Sequence, residues 1–186
     1  MINKDLFVEK FPYTPLNDTA KETIRTIVDV FMEDDGFEYL AELAYILATA
    51  YHETAHTFNP GIREIGRGKG RMYGRADGQT GETYYGRGLC QLTWKANYQK
   101  FSEILHADLV GNPDLALEKE NSVKIMMTGM KLGLFTGNRL RMYINGNSQD
   151  YERARRVVNG MDKARLIATY ARNIFKVLEE CKIPEA

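Results

Sequence analysis

A cluster of ionisable side chains, His52-Glu53-Thr54-Ala55-His56, lies at the end of an apolar stretch of the chain. The spacing matches H-E-x-x-H, in which two imidazoles on one helical face hold zinc and the glutamate is the general base. Such a short pattern often matches by chance, so a second interpretation stays open. In that interpretation Glu53 is the general acid of a hydrolase, and the histidines only surround it.

The residues before Glu53 predict the helix that positions it. Apolar side chains recur at helical spacing over residues 43–51, which is the pattern of a helix packed on a core. Pro60 cannot continue a helix, so the helix is predicted to end near residues 58–59. Glu53 would then lie in the last turn, where a carboxyl group can reach open space.

Other helices are predicted by the same periodicity. One runs from about Thr19 to Met32 and is capped by Asn17 or Asp18. A second begins at Lys95. Further helices are expected over residues 121–135, 150–158 and 161–181, with Ile104 and Leu166 among the side chains predicted to face inward.

Length and composition predict one domain over residues 1–186, with two lobes. The two cysteines, Cys90 and Cys181, are fewer than a secreted disulfide framework uses. The first residues lack the apolar core of a signal peptide, and no run approaches the length of a membrane span. We therefore expect a monomer that is made in a cytoplasm and does not insert stably into a membrane.

Charge is balanced overall but unevenly distributed along the chain. Residues 1–62 carry 4 Lys and Arg against 11 Asp and Glu, whereas residues 63–100 carry 8 against 3 and residues 139–186 carry 10 against 6. Two basic segments facing an acidic one favour a surface that accepts an anionic polymer. Ordinary solvated surface charge is the alternative.

Nine glycines between residues 61 and 88 argue against helix and predict short strands or a hairpin near residues 62–85. The glycine density resembles a phosphate-binding loop, but the spacing matches neither the P-loop nor the dinucleotide fingerprint. We therefore expect no nucleotide and no nucleic-acid partner.

Glu64 follows Glu53 by 11 residues, across the helix-ending Pro60. A loop carboxylate that faces Glu53 across a cleft would complete the pair of carboxyl groups that glycosidic hydrolysis needs. Glu82 is a second candidate for this position. The alternative for Glu64 is an exposed carboxylate that only pairs with a neighbouring arginine.

The block from Tyr84 to Tyr98, YYGRGLCQLTWKANY, combines aromatic rings with amides and hydroxyls. Aromatic faces stack on the C–H surfaces of sugar rings, while amides and hydroxyls bond the sugar hydroxyl groups. The block is therefore typical of a carbohydrate-binding surface.

These motifs resemble glycoside hydrolase family 19. The family has an apolar helix ending in H-E-T and then a Y-Y-G-R-G-x-x-Q-L-[ST]-x-x-x-N-Y block, and both occur here in that order. Two later family segments are also resembled, by Asn112-Pro113-Asp114-Leu115 and by Val157-Val158-Asn159-Gly160 followed by Arg165. The position of Glu64 resembles the endolysin pattern more than that of the plant chitinases, and the usual Pro-Ile after G-R-G is Leu89-Cys90 here.

The resemblance implies a mainly α, lysozyme-like, two-lobed domain with a small β-hairpin beside the active-site cleft and no separate cell-wall-binding module. It implies hydrolysis of β-1,4 bonds in peptidoglycan glycan strands by a bacteriophage endolysin that needs a holin-type factor for release. Glu53 would protonate the leaving oxygen, and Glu64 would activate a water that Thr93 helps to hold, without metal or cofactor. The substrate-binding residues would be His52, Tyr85, Gln91, Trp94, Asn97, Asn159 and Arg165, the last of which could instead pair with a catalytic carboxylate.

Three alternatives remain open. A chitinase uses the same scaffold, because chitin and peptidoglycan share a β-1,4-linked N-acetylated backbone. A zinc peptidase would use His52, His56 and a distant glutamate such as Glu82. A cell-wall-binding protein without catalysis would keep affinity for the polymer but show no turnover.

Overall fold

The structure is a computed structural model, and it describes residues 1–13 and 15–184. In this part of the chain the helices are α1 (Lys4–Glu9), α2 (Asp18–Glu33), α3 (Leu40–Glu53), α4 (Lys95–Leu105), α5 (Lys119–Leu132) and α6 (Ala164–Glu180). Short 3-10 segments occur at Met72–Gly74, Pro113–Leu117, Leu140–Met142 and Arg153–Val157. The strands β1 (Ile144–Asn145) and β2 (Ser148–Gln149) form an antiparallel hairpin.

The chain folds into two compact units. Unit 1 comprises Met1–Phe58 and Met127–Ala186, and unit 2 comprises Asn59–Met126. Within the described residues, no helix is both long and apolar enough to cross a lipid bilayer.

Helix α3 is the centre of unit 1. Its residues from Ala41 to Ala50 are all buried, so the helix is covered on every side rather than along one stripe. It packs mainly against α6, which turns a row of small and branched residues inward. Asn17 starts α2 as predicted, because its side-chain oxygen accepts a hydrogen bond from the Ala20 N–H at 2.8 Å.

Unit 2 is built from α4, short turns and two chain segments that run side by side. The Glu64 N–H donates to the Gly86 carbonyl at 2.7 Å, and the Gly88 N–H donates to the Ile62 carbonyl at 2.9 Å. These bonds fix the start of the glycine-rich segment against the Tyr84–Tyr98 block. Tyr98 and Phe101 of α4 are buried below them.

The prediction of a mainly α fold with a small antiparallel hairpin is confirmed, but the hairpin was expected in the wrong place. In the described residues, 62–85 holds turns, the 3-10 segment Met72–Gly74 and one isolated bridge, from Arg63 to Arg87. The hairpin lies instead at residues 144–149, where Asn145 pairs with Ser148 and the residues Gly146 and Asn147 form the turn between the two strands. Glycine and asparagine are common in the turns of such hairpins.

Three further expectations differ from the structure. The helix predicted over residues 150–158 is only the 3-10 segment Arg153–Val157. Ile104 and Leu166 were expected to face inward, but they are 37% and 42% exposed. The buried face of α6 includes Ala164, Ile167 and Ala168, and Leu166 lies outside this face. Periodicity therefore predicted the helix correctly but placed Leu166 on the wrong side of it.

Arg87 is a buried cation at the centre of unit 2. Its side chain is 4% exposed and donates to Asp114 Oδ1 at 2.8 Å, to the Thr83 carbonyl at 2.9 Å and to the Tyr98 hydroxyl at 3.2 Å. Its guanidinium also lies 3.7 Å from the centre of the Tyr85 ring. Arginine suits this position because its planar fork satisfies several acceptors at once.

Replacing Arg87 by Ala is expected to lower the free energy of unfolding by about 3 kcal/mol, because buried acceptors lose their donor. Arg63 provides the matched control, since it binds the same Asp114 at 2.9 Å but is 38% exposed. Arg63→Ala should cost less than about 1 kcal/mol. Urea unfolding followed by circular dichroism measures both, and equal losses would contradict the structural role given to Arg87.

Candidate active site

Helix α3 ends at Glu53, earlier than the predicted end near residues 58–59. Thr54 closes the helix: its hydroxyl donates to the Ala50 carbonyl at 2.7 Å and accepts from the Phe58 N–H at 2.8 Å. The chain then turns through Ala55 and His56, which have positive φ. Pro60 is therefore not the feature that ends the helix, and Glu53 is its last residue.

This helix end removes the geometry required for zinc binding by His52 and His56. The H-E-x-x-H arrangement needs one helix through both histidines, but His56 lies beyond α3 with φ of 71°. Its ring stacks on Tyr51 with centroids 4.4 Å apart and shares a hydrogen bond of 3.2 Å with the Tyr170 hydroxyl. Over the described part of the chain, no group of three or more His, Cys, Asp or Glu side chains is arranged to hold a metal ion.

Glu53 forms an ion pair with Arg155 in unit 1. The Arg155 Nη1 donates to Glu53 Oε1 at 2.5 Å, and the arginine side chain is 3% exposed against 20% for the glutamate. The Arg155 Nε donates to the Asp162 carbonyl at 3.1 Å, which fixes the guanidinium from the other side. The pair therefore holds the Glu53 carboxyl group in one orientation while part of it stays open to solvent.

His52 precedes Glu53 and is half-buried. Burial lowers the pKa of His52 below its ordinary 6.5; the Glu53 charge opposes this, while the charges of Arg155 and His56 lower the pKa further. The folded state therefore favours the neutral imidazole. This places a neutral ring beside the end of α3.

The lowered pKa of His52 predicts a loss of stability on acidification. Below pH 6.5 the unfolded chain takes up a proton at this position before the folded chain does, so the free energy of unfolding falls as the pH falls. Between pH 7.5 and 5.5, the wild-type melting temperature should fall more than that of His52→Gln. If the melting temperatures of the two proteins fall by the same amount over this pH range, the pKa of His52 is not lowered in the folded state.

Asn159 and Arg165 both lie in unit 1, but the structure gives them different surroundings. The Asn159 N–H donates to the Arg155 carbonyl at 3.0 Å, so this residue is joined directly to the arginine that holds Glu53. The Arg165 side chain is 92% exposed and lies 3.9 Å from Glu152. The expectation that Arg165 pairs with a catalytic carboxylate is therefore wrong for Glu53, where Arg155 takes that place.

Glu64 lies in unit 2 and is held through both carboxylate oxygens. Oε1 accepts from the Tyr73 hydroxyl at 2.8 Å, and Oε2 accepts from the Gly86 N–H at 3.0 Å. The alternative, in which Glu64 only pairs with a neighbouring arginine, is not found among the described residues, because Arg63 binds Asp114 instead. A carboxylate has about four lone-pair positions, so two remain for other donors such as water.

Gln91 and Thr93 converge with Glu64 on the backbone of Gly86. A Cβ atom at Gly86 would lie 2.9 Å from Gln91 Oε1 and 3.3 Å from both Glu64 Cβ and Thr93 Oγ1. Only glycine leaves the room for these three side chains to meet. The Thr93 hydroxyl donates to the Gln91 carbonyl at 2.7 Å, which leaves its oxygen as an acceptor.

Trp94 presents its ring beside this group. Its side chain is 51% exposed and meets the Tyr73 ring edge-on, with centroids 5.0 Å apart. Gln91 and Trp94 both have positive φ, at 53° and 75°. Strained backbone of this kind concentrates at functional sites. Asn97 supports the turn, because its amide donates to the Thr93 carbonyl at 2.8 Å.

Tyr85 and Glu82 occupy less open positions than their predicted roles suggest. The Tyr85 ring is only 5% exposed and lies under the Arg87 guanidinium. Glu82 is half-buried, and its backbone closes a loop by accepting from the Asp77 N–H at 2.8 Å. Neither is joined by a hydrogen bond to Glu64 in the described residues.

Two residues of the candidate site were missed by sequence reasoning. Arg155 is 102 positions from Glu53, so no local spacing indicates the pair. Tyr73 lies in the glycine-rich segment, where turns rather than periodicity determine which side chains meet. The sequence offered only a weak signal for Arg155, namely its position between the apolar residues Ala154 and Val157.

Comparison with known proteins gives consistent matches to chitinases. A family model described as Chitinase class I, of glycoside hydrolase family 19, matches residues 64–129. The chain is 31% identical to basic endochitinase CHB4 of Brassica napus over 126 residues, or 65% of this chain and 43% of that protein. It is 38% identical to the acidic endochitinase of Petunia hybrida over 72 residues, which are 39% of this chain and 27% of that protein. The chain thus spans less than half the length of these relatives.

Solved structures show the same fold over nearly the whole chain. Chitinase C from Streptomyces griseus HUT6037 superposes with a TM-score of 0.62 over 99% of this chain and 95% of its own, at 19% identity. A bacterial family 19 chitinase superposes with a TM-score of 0.58 over 95% and 94%, at 17% identity. These likenesses confirm the lysozyme-like fold.

Proposed function

We propose that this chain, which belongs to glycoside hydrolase family 19, hydrolyses β-1,4 glycosidic bonds in the glycan strands of bacterial peptidoglycan. The observation that carries the proposal is the convergence of Glu64, Gln91 and Thr93 on Gly86, inside the range that the family model matches. A carboxylate beside a hydroxyl acceptor is suited to bind and activate a water molecule.

In this proposal the two glutamates have separate roles. Glu53, fixed by Arg155, protonates the oxygen of the leaving sugar. Glu64 removes a proton from the attacking water, while the Thr93 oxygen accepts the other water hydrogen because its own hydrogen is bound to the Gln91 carbonyl. Attack from the opposite face of the sugar gives inversion at the anomeric carbon.

The surroundings of Glu64 suit a sugar substrate. The half-exposed Trp94 ring offers an aromatic face for the C–H surface of a sugar, and Tyr73 packs against its side. The polar groups of Gln91 and Asn97 hold the turn that carries this ring. A rigid aromatic surface next to the carboxylate would fix the sugar before the reaction.

Peptidoglycan is proposed as the substrate because of charge. Residues 63–100 carry 8 Lys and Arg against 3 Asp and Glu, and this range contains Glu64 and the residues around it. Peptidoglycan strands bear peptide carboxylates, whereas chitin is uncharged. The endolysin role follows from the resemblance of the Glu53–Glu64 spacing to the endolysin pattern. A factor that releases the enzyme to the cell wall belongs to the same proposal.

Chitin is the second candidate substrate, because the relatives are named endochitinases and chitinases. Mass analysis of products from purified peptidoglycan and from chitin oligomers separates the possibilities. New reducing ends from peptidoglycan support the proposal, and reducing ends from chitin alone favour a chitinase. New amino groups would indicate a peptidase or amidase and contradict the proposal, as would binding without turnover.

A further inference from the structure

Residues 65–75 carry four cations that the proposed mechanism does not use, and we call this segment the cationic loop. Arg67, Lys69, Arg71 and Arg75 are all exposed, and among the described residues none of them forms a salt bridge. The loop contains no acidic residue. Its positive charge is therefore uncompensated locally and creates a field that attracts anions.

The cationic loop is a closed structure. The Lys69 N–H donates to the Gly66 carbonyl at 2.9 Å, and the Arg71 N–H donates to the Gly68 carbonyl at 2.8 Å. A Cβ atom at Gly68 would lie 2.8 Å from Gly74 Cα, so the two ends of the loop touch through glycines. These contacts hold the cations in a small volume.

Tyr73 joins the cationic loop to the candidate catalytic base. Its hydroxyl donates to Glu64 Oε1 at 2.8 Å, and its ring packs over Gly68. The cationic loop therefore lies next to the carboxylate on which the proposed reaction depends. Arg67 also has φ of 48°, a conformation that side-chain-bearing residues rarely adopt, and such strain is typical of functional positions.

We infer that the cationic loop is a specificity determinant that selects glycan strands bearing carboxylates over neutral strands. This inference rests on the proposed function. Guanidinium groups bind carboxylates with paired hydrogen bonds, and the peptide carboxylates of peptidoglycan are spaced along the strand. A neutral polymer such as chitin gains nothing from these cations.

An anionic lipid surface is the competing occupant, because two apolar side chains of the loop are also exposed. Ile65 is 99% exposed and Met72 is 69% exposed. The hydrogen bond between Tyr73 and Glu64 favours the glycan strand, since it places the cations at the site of reaction. The lipid alternative is an outcome of the test below.

The test compares the triple variant Arg67→Gln, Lys69→Gln, Arg71→Gln with the control triple Lys100→Gln, Lys124→Gln, Lys176→Gln. The control residues are exposed on α4, α5 and α6 and remove the same charge. The measured quantity is the ratio of kcat/KM on native peptidoglycan to kcat/KM on peptidoglycan with chemically amidated carboxylates. The loop triple should lower this ratio about tenfold at low salt, because local attraction is lost, and the control triple should keep it.

An unchanged ratio in the loop triple, or an equal fall in both triples, would overturn the inference. Loss of binding to vesicles of anionic phospholipid with an unchanged ratio would assign the loop to a lipid surface and overturn it as well. Sedimentation of each protein with native and amidated peptidoglycan tests selection without turnover. A chain that cleaves neither polymer but binds native peptidoglycan through the loop would contradict the proposed function alone.

Discussion

Glu53→Gln is expected to lower kcat by at least about 10²–10⁴, which corresponds to roughly 3–5 kcal/mol of activation free energy. Glutamine cannot donate the proton that the leaving oxygen needs, yet its side chain has nearly the same shape and can still accept from Arg155. Substrate binding should therefore change little. Steady-state kinetics on purified peptidoglycan, with binding measured separately, gives both quantities.

Stability must be measured in the same experiment, because the replacement leaves Arg155 buried beside a neutral partner. Losing one member of a buried ion pair can cost about 3–5 kcal/mol of folding free energy, so assays belong well below the melting temperature. His56→Ala serves as the control, since its ring lies beyond α3 against Tyr51 and Tyr170. A mild Glu53→Gln with a severe His56→Ala would contradict the role given to Glu53.

Much of the helical structure follows from the sequence. Helices α2 and α4 begin within one residue of their predicted starts, because a capping residue or an apolar periodic run marks each of them. The helix expected over residues 121–135 is present as α5, and its Met126 and Met130 are buried in the core. Local chemistry was sufficient for these elements.

The differences arise where side-chain hydrogen bonds and packed glycine turns, rather than hydrophobic periodicity, decide the structure. The end of α3 is set by the Thr54 hydroxyl bonding to Ala50 and Phe58, and this competes with continuing the helix to Pro60. The glycines of residues 61–88 form turns that pack on one another, as Gly68 does on Gly74, instead of pairing as strands. A glycine count alone cannot separate these two outcomes.

The candidate site likewise combines residues that the sequence indicated with residues that only the fold brings together. Gln91 and Thr93 belong to one block that is typical of a carbohydrate-binding surface, and the structure places both at Gly86 with Glu64. Arg155 and Tyr73 reach the two glutamates only through the fold, so no motif marks them. Motifs indicated the two candidate carboxyl groups, whereas the side chains that orient them are found only in the structure.

Glu64→Gln should also remove most of the activity, by about 10²–10⁴ in kcat, because an amide cannot take a proton from the attacking water. Glu82→Gln is the matched control: it is the other glutamate of residues 61–88 and has no hydrogen bond to the group around Gly86 in the described residues. Azide, which needs no deprotonation to attack, should restore part of the rate in Glu64→Gln and not in Glu53→Gln.

NMR of the first product formed by the wild-type enzyme should show the α-anomer, as inversion of a β-linked sugar requires. A β-anomer as the first product would exclude an inverting mechanism. Full activity in Glu64→Gln, together with an inactive Glu82→Gln, would show that Glu82 rather than Glu64 is the base.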